Sequence, residues 1–274
     1  MTEYTLYHNP FSVHSLMVRY TISLLESVYG HSFAQFNLKV VDQSRNQHLE
    51  ECFLLKVNPK GQVPALTSPS LPEPITDSLE ITTFLTKKYP GLVPEAHREC
   101  IFALLTELHE IQPFSLCVSQ TYNTPEGVRN VGLDFLLSRS DISDEYRRAL
   151  QFKSQFYDSV LLHALDDDKV RQVELQAKVL FDKVSEILSD EPVDKDPWLF
   201  GSSAGPSALD GHLLPFIVRL MDAGRSDIIP EKLVAYATEL SRREQWQSVT
   251  LGLPTMQSFV GKDQIENLKK VMQN

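Results

Sequence analysis

Cysteine is scarce. The chain has three in 274 residues, Cys52, Cys100 and Cys117, far apart and without a Cys-x-x-Cys pair. That spacing excludes a disulfide scaffold and a cysteine-ligated metal centre, and no metal is expected. It suits a reduced, cytoplasmic protein in which each thiol is a small core residue. Positive charge is also in deficit. Lys plus Arg number 26 against 36 Asp plus Glu, a formal net charge of -10. With no basic tract and no basic amphipathic helix, nucleic acid and membrane surfaces are not expected partners. No apolar run is long enough to span a bilayer. The opening MTEYTLYHNPFS lacks a charged segment followed by an apolar one, so it does not read as a signal peptide. Internal repeats and low-complexity stretches are absent too.

What is present is a globular composition, 42% hydrophobic and 23% charged, over a length that calls for one large domain or two ordinary ones. The first ninety residues alternate in character. YTLYHN and FAQFNLKVV read as strands. SLMVRYTISLLESVYG reads as a helix with Gly30 beyond its end, RNQHLEECFLLKV as a short helix, and Val63–Thr67 and Glu73–Thr76 as two short strands. DSLEITTFLTKKYP is a helix stopped by Pro90. This order predicts an α/β domain around a mixed sheet over residues 1–89. After Pro90–Pro94 only helical patterns remain, predicting an all-α domain over 95–274. Its clearest helix carries Val173, Ala177, Leu180, Phe181, Val184 and Leu188 on one face, with three aspartates at its positive end.

Three short segments carry chemistry. In NPFSVHSLMVR, Ser12 or Ser15 begins a helix, either as a plain cap or as a donor to an anion held at the helix terminus. A thiolate is such an anion. A free thiol titrates near pKa 8.5, and lowering that by about two units takes roughly 3 kcal/mol. In NPKGQVPAL, Pro64 stands where a strand starts. It is either a trans proline at the strand's beginning or, as in about 5–6% of X–Pro bonds, a cis one that leaves the Val63 backbone free to pair with an extended ligand. In TDSLEI, Asp77 and Ser78 open a helix, either as a capping box with Glu80 or as a cradle for a carboxylate.

In this order, LYHNPFSVHSLMVR, NPKGQVPAL and TDSLEI resemble the first domain of the glutathione transferases, and PSALDGHLLPFIVRL resembles the Ser-x-x-Asp capping motif of the superfamily's core helix. The resemblance implies a thioredoxin-like N-terminal domain, an all-helical C-terminal domain and a homodimer. It implies glutathione as the cofactor. Ser12 then matches the activating serine of theta- and zeta-like classes, with Tyr7 as the rival from the tyrosine classes. Val63, ahead of a cis Pro64, would pair with the cysteinyl part of glutathione. Asp77 and Ser78 would hold its γ-glutamyl end, and Gln47, His48 and Lys60 are candidates for its glycyl carboxylate. Ser207 and Asp210 would be structural. The chain departs from the pattern at Ser12-Val13, where many members have Ser-Pro. It departs again at His14, which would be an alternative donor, a pocket residue or a half-exposed loop histidine, and a third time in extra sequence around 123–165. Phe102, Leu105, His109 and Phe114 would wall a site for a hydrophobic electrophile. The implied activity is conjugation of glutathione in fungal natural-product tailoring. The alternatives are glutathione-dependent cis–trans isomerisation of a conjugated intermediate, and a non-catalytic binding module.

Overall fold

The computed structural model describes residues 4–118, 130–161, 163–188 and 197–272. Strand β1 (Tyr4–His8) is the middle of a sheet in the order β2-β1-β3, parallel to β2 (Phe36–Val40) and antiparallel to β3 (Ala65–Thr67). Tyr4, Leu6 and His8 are buried on one face of β1, and Thr5 and Tyr7 lie half-buried on the other, because successive side chains of a strand alternate. The strand expected over Glu73–Thr76 reduces to one bridge, in which Leu66 and Ile75 exchange backbone hydrogen bonds of 2.8 and 2.9 Å.

Helix α1 (Val13–Tyr29) joins β1 to β2 and ends at Gly30, whose N–H bonds to the Glu26 carbonyl. The segment expected to be one short helix after β2 is broken. Two 3-10 turns, Gln43–Arg45 and Gln47–Leu49, precede α2 (Glu51–Lys56), and Asn46 between them sits in the left-handed region at φ 57°. That conformation cannot continue a right-handed helix. Cys52 on α2 is exposed, a correction to its expected core position, because the short helix buries only Phe53 and Leu54. Helix α3 (Ser78–Lys88) follows the β3 region.

The rest of the described chain is helical: α4 (Arg98–Glu110), α5 (Pro113–Cys117), α6 (Val131–Ser138), α7 (Asp144–Phe156) with a π turn over Tyr157–Leu161, α8 (Asp167–Ile187), α9 (Ala208–Asp222), α10 (Glu231–Ser241), α11 (Glu244–Thr250) and α12 (Lys262–Val271). Positions 123–129 and 162 of the extra sequence lie outside the described residues. Helix α8 buries the face read from its sequence. Helix α9 is the central post. It lies against α1 so closely at Gly211 that a Cβ there would collide with the Thr21 side chain. Its cap is complete: Ser207 accepts from the Asp210 N–H, and the Asp210 carboxylate accepts from the Ser207 N–H and hydroxyl, the Leu199 N–H and the Tyr236 hydroxyl.

One core cluster runs through both halves, from Leu6, Leu16 and Tyr20 to Leu108, Phe181, Phe216 and Trp246. Two smaller clusters clasp the first half from outside. Ile265, Leu268 and Met272 of the C-terminal segment pack on Phe11 and Val40, and Lys269 makes a buried 2.7 Å ion pair with Asp42. Leu133, Tyr146 and Leu150 of α6 and α7 pack on Leu49 and Leu54, and the Tyr146 hydroxyl donates to the Leu49 carbonyl. Burying a leucine side chain contributes at most about 1.5–3 kcal/mol, so Leu133 and Leu150 are the main apolar anchors of α6–α7 on α2.

Candidate functional site between the first loop and the helical half

The turn from β1 into α1 is built by Asn9. Its side chain accepts from the Phe11 N–H at 2.9 Å and donates to the Val41 carbonyl at 3.1 Å, its N–H donates to the Ser15 hydroxyl, and its carbonyl accepts from the Ser12 N–H. Ser12 is therefore delivered to the start of α1 and caps it, accepting from the Ser15 N–H at 3.3 Å. The cap uses a lone pair. The hydroxyl proton of half-buried Ser12 has no acceptor among the described residues. From the helical half, the Arg219 guanidinium of α9 donates to the Phe11 carbonyl and to the Thr255 carbonyl and hydroxyl, while Thr255 donates to Asp222. The loop is pinned on both sides.

A second loop comes from residues 58–64. Asn58 organises it, donating to the Gln62 carbonyl and accepting from the Lys60 N–H. The Val63–Pro64 bond is cis. The Val63 N–H and C=O have no hydrogen-bond partner among the described residues. Gly61 is required here: its φ is +57°, and a Cβ would press on the His48 carbonyl, Leu54 and Lys153. Asp77 caps α3, accepting from the Leu79 and Glu80 N–H groups at 2.8 and 3.0 Å. Ser78 is thereby left to face His14, with its hydroxyl 3.4 Å from His14 Nδ1.

The start of α1 and the Gly61 turn border a cavity of about 500 Å³. Val13, His14, Gly61 and Gln62 line it from the first half, and His109, Phe114, Lys153, Tyr157 and Arg219 from the helical half. Three histidines succeed one another from its wall into the core, His212 lying fully buried behind the other two. The rings of His14 and His109 lie 5.7 Å apart, His109 Nε2 is 2.8 Å from His212 Nδ1, and His212 Nε2 is 2.7 Å from the Thr82 hydroxyl. Burial, reinforced by the neighbouring His109, takes His14 down to about 4; burial lowers His109, and burial with its two histidine neighbours puts His212 well below its ordinary value. All three are neutral at neutral pH. Which ring nitrogen carries the proton sets the direction of both contacts, and a neutral histidine at His109 presents one N–H and one bare nitrogen between His212 and the cavity. Among the described residues no group of three or more His, Cys, Asp or Glu is placed to hold a metal ion, and no helix is long and apolar enough to cross a membrane.

The structure thus brings Ser12, His14, Val63, Pro64, Asp77 and Ser78 to neighbouring loops. Tyr7 is elsewhere: it packs edge-on against Phe53 and lines a separate cavity with Lys56, because it points to the opposite face of β1 from the core. Gln47 spends its side-chain oxygen on the Asp42 N–H. His48 is 3% exposed, with Nδ1 sealed and unpartnered. Lys60 is exposed, and its carbonyl is taken by Lys153. Of the expected apolar wall, His109 and Phe114 line the cavity, whereas Leu105 is in the core and Phe102 packs against that core. Lys153, Arg219 and His212 went unread in the sequence, because no local motif marks them.

No protein-family model matches the sequence, and no curated protein does. Solved structures do match. The holo structure of maleyl pyruvate isomerase, a bacterial glutathione S-transferase of the zeta class, aligns with a TM-score of 0.56 at 18% identity, over 92% of this chain and 99% of that one. Glutathione transferase F2 from Populus trichocarpa aligns at 0.55 and 19%, over 90% and 96%. A glutathione transferase homologue from Drosophila mojavensis, with bound glutathione, aligns at 0.55 and 17%, over 94% and 98%. The chain has the glutathione transferase fold. Within the glutathione transferase fold, the thioredoxin-like part is the β1–α3 region and the helical part begins with α4. The cavity described above lies where the two meet.

Proposed function

We propose that the chain is a glutathione transferase that binds glutathione across the two loops and activates its thiol for attack on a hydrophobic electrophile. The observation that carries this reading is Ser12, a helix cap whose hydroxyl still has a proton to give, one residue from the cavity wall. A thiolate placed there would accept that proton in a hydrogen bond and would feel the positive end of α1. A hydrogen bond to a charged group contributes about 1.5–3 kcal/mol, of the size that lowering a thiol pKa by one to two units requires. The unpaired Val63 backbone would bond the cysteinyl unit of an extended tripeptide, and Asp77 with Ser78 would hold its γ-glutamyl end. Glutathione supplies the nucleophilic sulfur; the chain binds it, orients it and keeps it ionised. The reading divides the chain at 1–89 and 95–274 and carries a homodimer in the cytoplasm, which sizing in solution and fractionation would check.

A second reading is supported by the histidines. Addition of a thiolate to a conjugated carbonyl creates an enolate. A neutral imidazole N–H can bond to the enolate oxygen yet is too weak an acid to protonate its carbon, as held by a neutral catalytic histidine in other enolate chemistry. The carbon–carbon bond could then rotate and the thiolate leave, giving a cis–trans isomerase. The bacterial zeta-class neighbour is an isomerase by name. A fungal natural product with a conjugated double bond would suit either outcome. The deciding experiment incubates the protein with stoichiometric glutathione and a conjugated enone, and weighs the product. A gain of one glutathione supports transfer; unchanged mass with altered double-bond geometry supports isomerisation. Tight glutathione binding without a thiolate absorbance, and without turnover of either kind, would leave only a binding module.

A further inference from the structure

Helix α7 delivers one charged side chain to the cavity that the glutathione reading does not use. Lys153 is 3% exposed and still lines the cavity. Its ammonium donates to the carbonyls of Lys60 at 2.8 Å and Gly61 at 3.1 Å, and lies 4.9 and 5.1 Å from the ring centres of Phe156 and Tyr157. Among the described residues no carboxylate pairs with it, although Glu110 shares the cavity lining. An ammonium has three donors, and two are spent. A buried cation without a counter-ion is costly, and burial brings the Lys153 ammonium down to about 8. A strut between α7 and the Gly61 turn needs no charge: a neutral donor would serve two carbonyls.

We propose that Lys153 is an anion-binding residue of the cavity, its third donor reserved for a ligand carboxylate. One spare donor on one ammonium suits a single carboxylate rather than a phosphate. Arg219, the other cation in the lining, spends its Nε and Nη2 donors on Phe11 and Thr255 and has no hydrogen-bond partner at Nη1 among the described residues, so variants at Lys153 are what separate the two cations. His48 on the far side is buried and neutral, lowered to about 4 by burial with Lys153 beside it, so it neither competes for the anion nor supplies one. The carboxylate has two sources. It is either the glycyl end of glutathione, in which case the inference rests on the glutathione reading and Lys153 does what Gln47, His48 and Lys60 are not placed to do, or a carboxylate on the acceptor.

Calorimetry separates the sources. One arm measures glutathione against its glycyl carboxamide; the other measures cinnamate against cinnamamide in the presence of glutathione. Each uses the intact protein, Lys153→Met and Lys153→Arg. In one arm the native protein is expected to prefer the carboxylate by about ten- to hundredfold, the preference vanishing in Lys153→Met and surviving in Lys153→Arg. The arm in which this happens identifies the source. If Lys153→Met weakens acid and amide alike in both arms, Lys153 is a strut and the inference falls. If the native protein binds neither glutathione nor its carboxamide, the glutathione reading falls by itself, and the cinnamate pair, repeated without glutathione, still decides Lys153.

Discussion

Ser12 and Ser207 do the same job at the starts of α1 and α9, yet they end in different chemical states. Ser207 is fully buried, and every polar atom of its cap is matched: Asp210 takes its N–H and its hydroxyl, and in turn takes Leu199 and Tyr236. Ser12 is half-buried, accepts one bond from Ser15, and keeps its proton. The first arrangement is closed and holds the fold. The second is incomplete within the chain, and that incompleteness makes it available to a ligand. A residue type and a capping position do not distinguish the two; the count of remaining partners does.

The largest effect is expected at the closed cap. Asp210→Ala leaves the Ser207, Leu199 and Tyr236 donors buried without an acceptor, an expected loss of about 3–5 kcal/mol, read as a fall in the denaturation midpoint. A loss under 1 kcal/mol would show that the cap was never closed. At the open cap, Ser12→Ala should cost stability only about 1 kcal/mol but raise the pKa of bound glutathione by one to two units, about 1.5–3 kcal/mol. Ultraviolet titration of the thiolate reads this, and a thiol pKa unmoved by the substitution would transfer the role to His14. Acid sharpens the contrast between the halves. His14 is held neutral when folded and binds protons near 6.5 when unfolded, so the unfolded state takes up more protons below that value. Its contribution to stability is full above about pH 6.5, falls as pH is lowered, and levels off below about 4, with a loss near 2 kcal/mol at pH 5. His14→Asn should take its own share out of the slope in a melting series from pH 7 to pH 5, leaving the part that buried His8, His48, His109 and His212 contribute. The smallest effect is expected at Asp77→Ala, about 1 kcal/mol from the lost α3 cap, with weaker glutathione binding and an unaltered thiol pKa.

The parts of the site that could be read in the chain are those whose partners lie within a few residues. Ser12 with Ser15, Asp77 with Leu79 and Glu80, and Ser207 with Asp210 are helix starts, and a helix start is a local pattern. The choice of Leu105 as a cavity wall fails for the opposite reason: the face of α4 that meets the core is fixed by α9, which comes a hundred residues later. Tyr7 and Ser12 are only five positions apart, but strand alternation turns Tyr7 to the other side of the sheet. The broken segment before α2 was also illegible, because Asn46 tolerates a left-handed backbone without announcing it.

By itself the sequence determined the alternation of strands and helices, the apolar face of α8, and the three caps, since each depends on backbone groups and side chains within one or two turns. Tertiary structure alone decided that α6–α7 would lie over α2 and bring Lys153 to Gly61. It alone decided that Arg219 would hold the Phe11 carbonyl, and that His14, His109 and His212 would meet in one row. Those contacts join residues about ninety to two hundred positions apart. They exist because burying apolar faces fixes how whole elements pack, and that packing, rather than any local spacing, chooses which polar groups end up side by side.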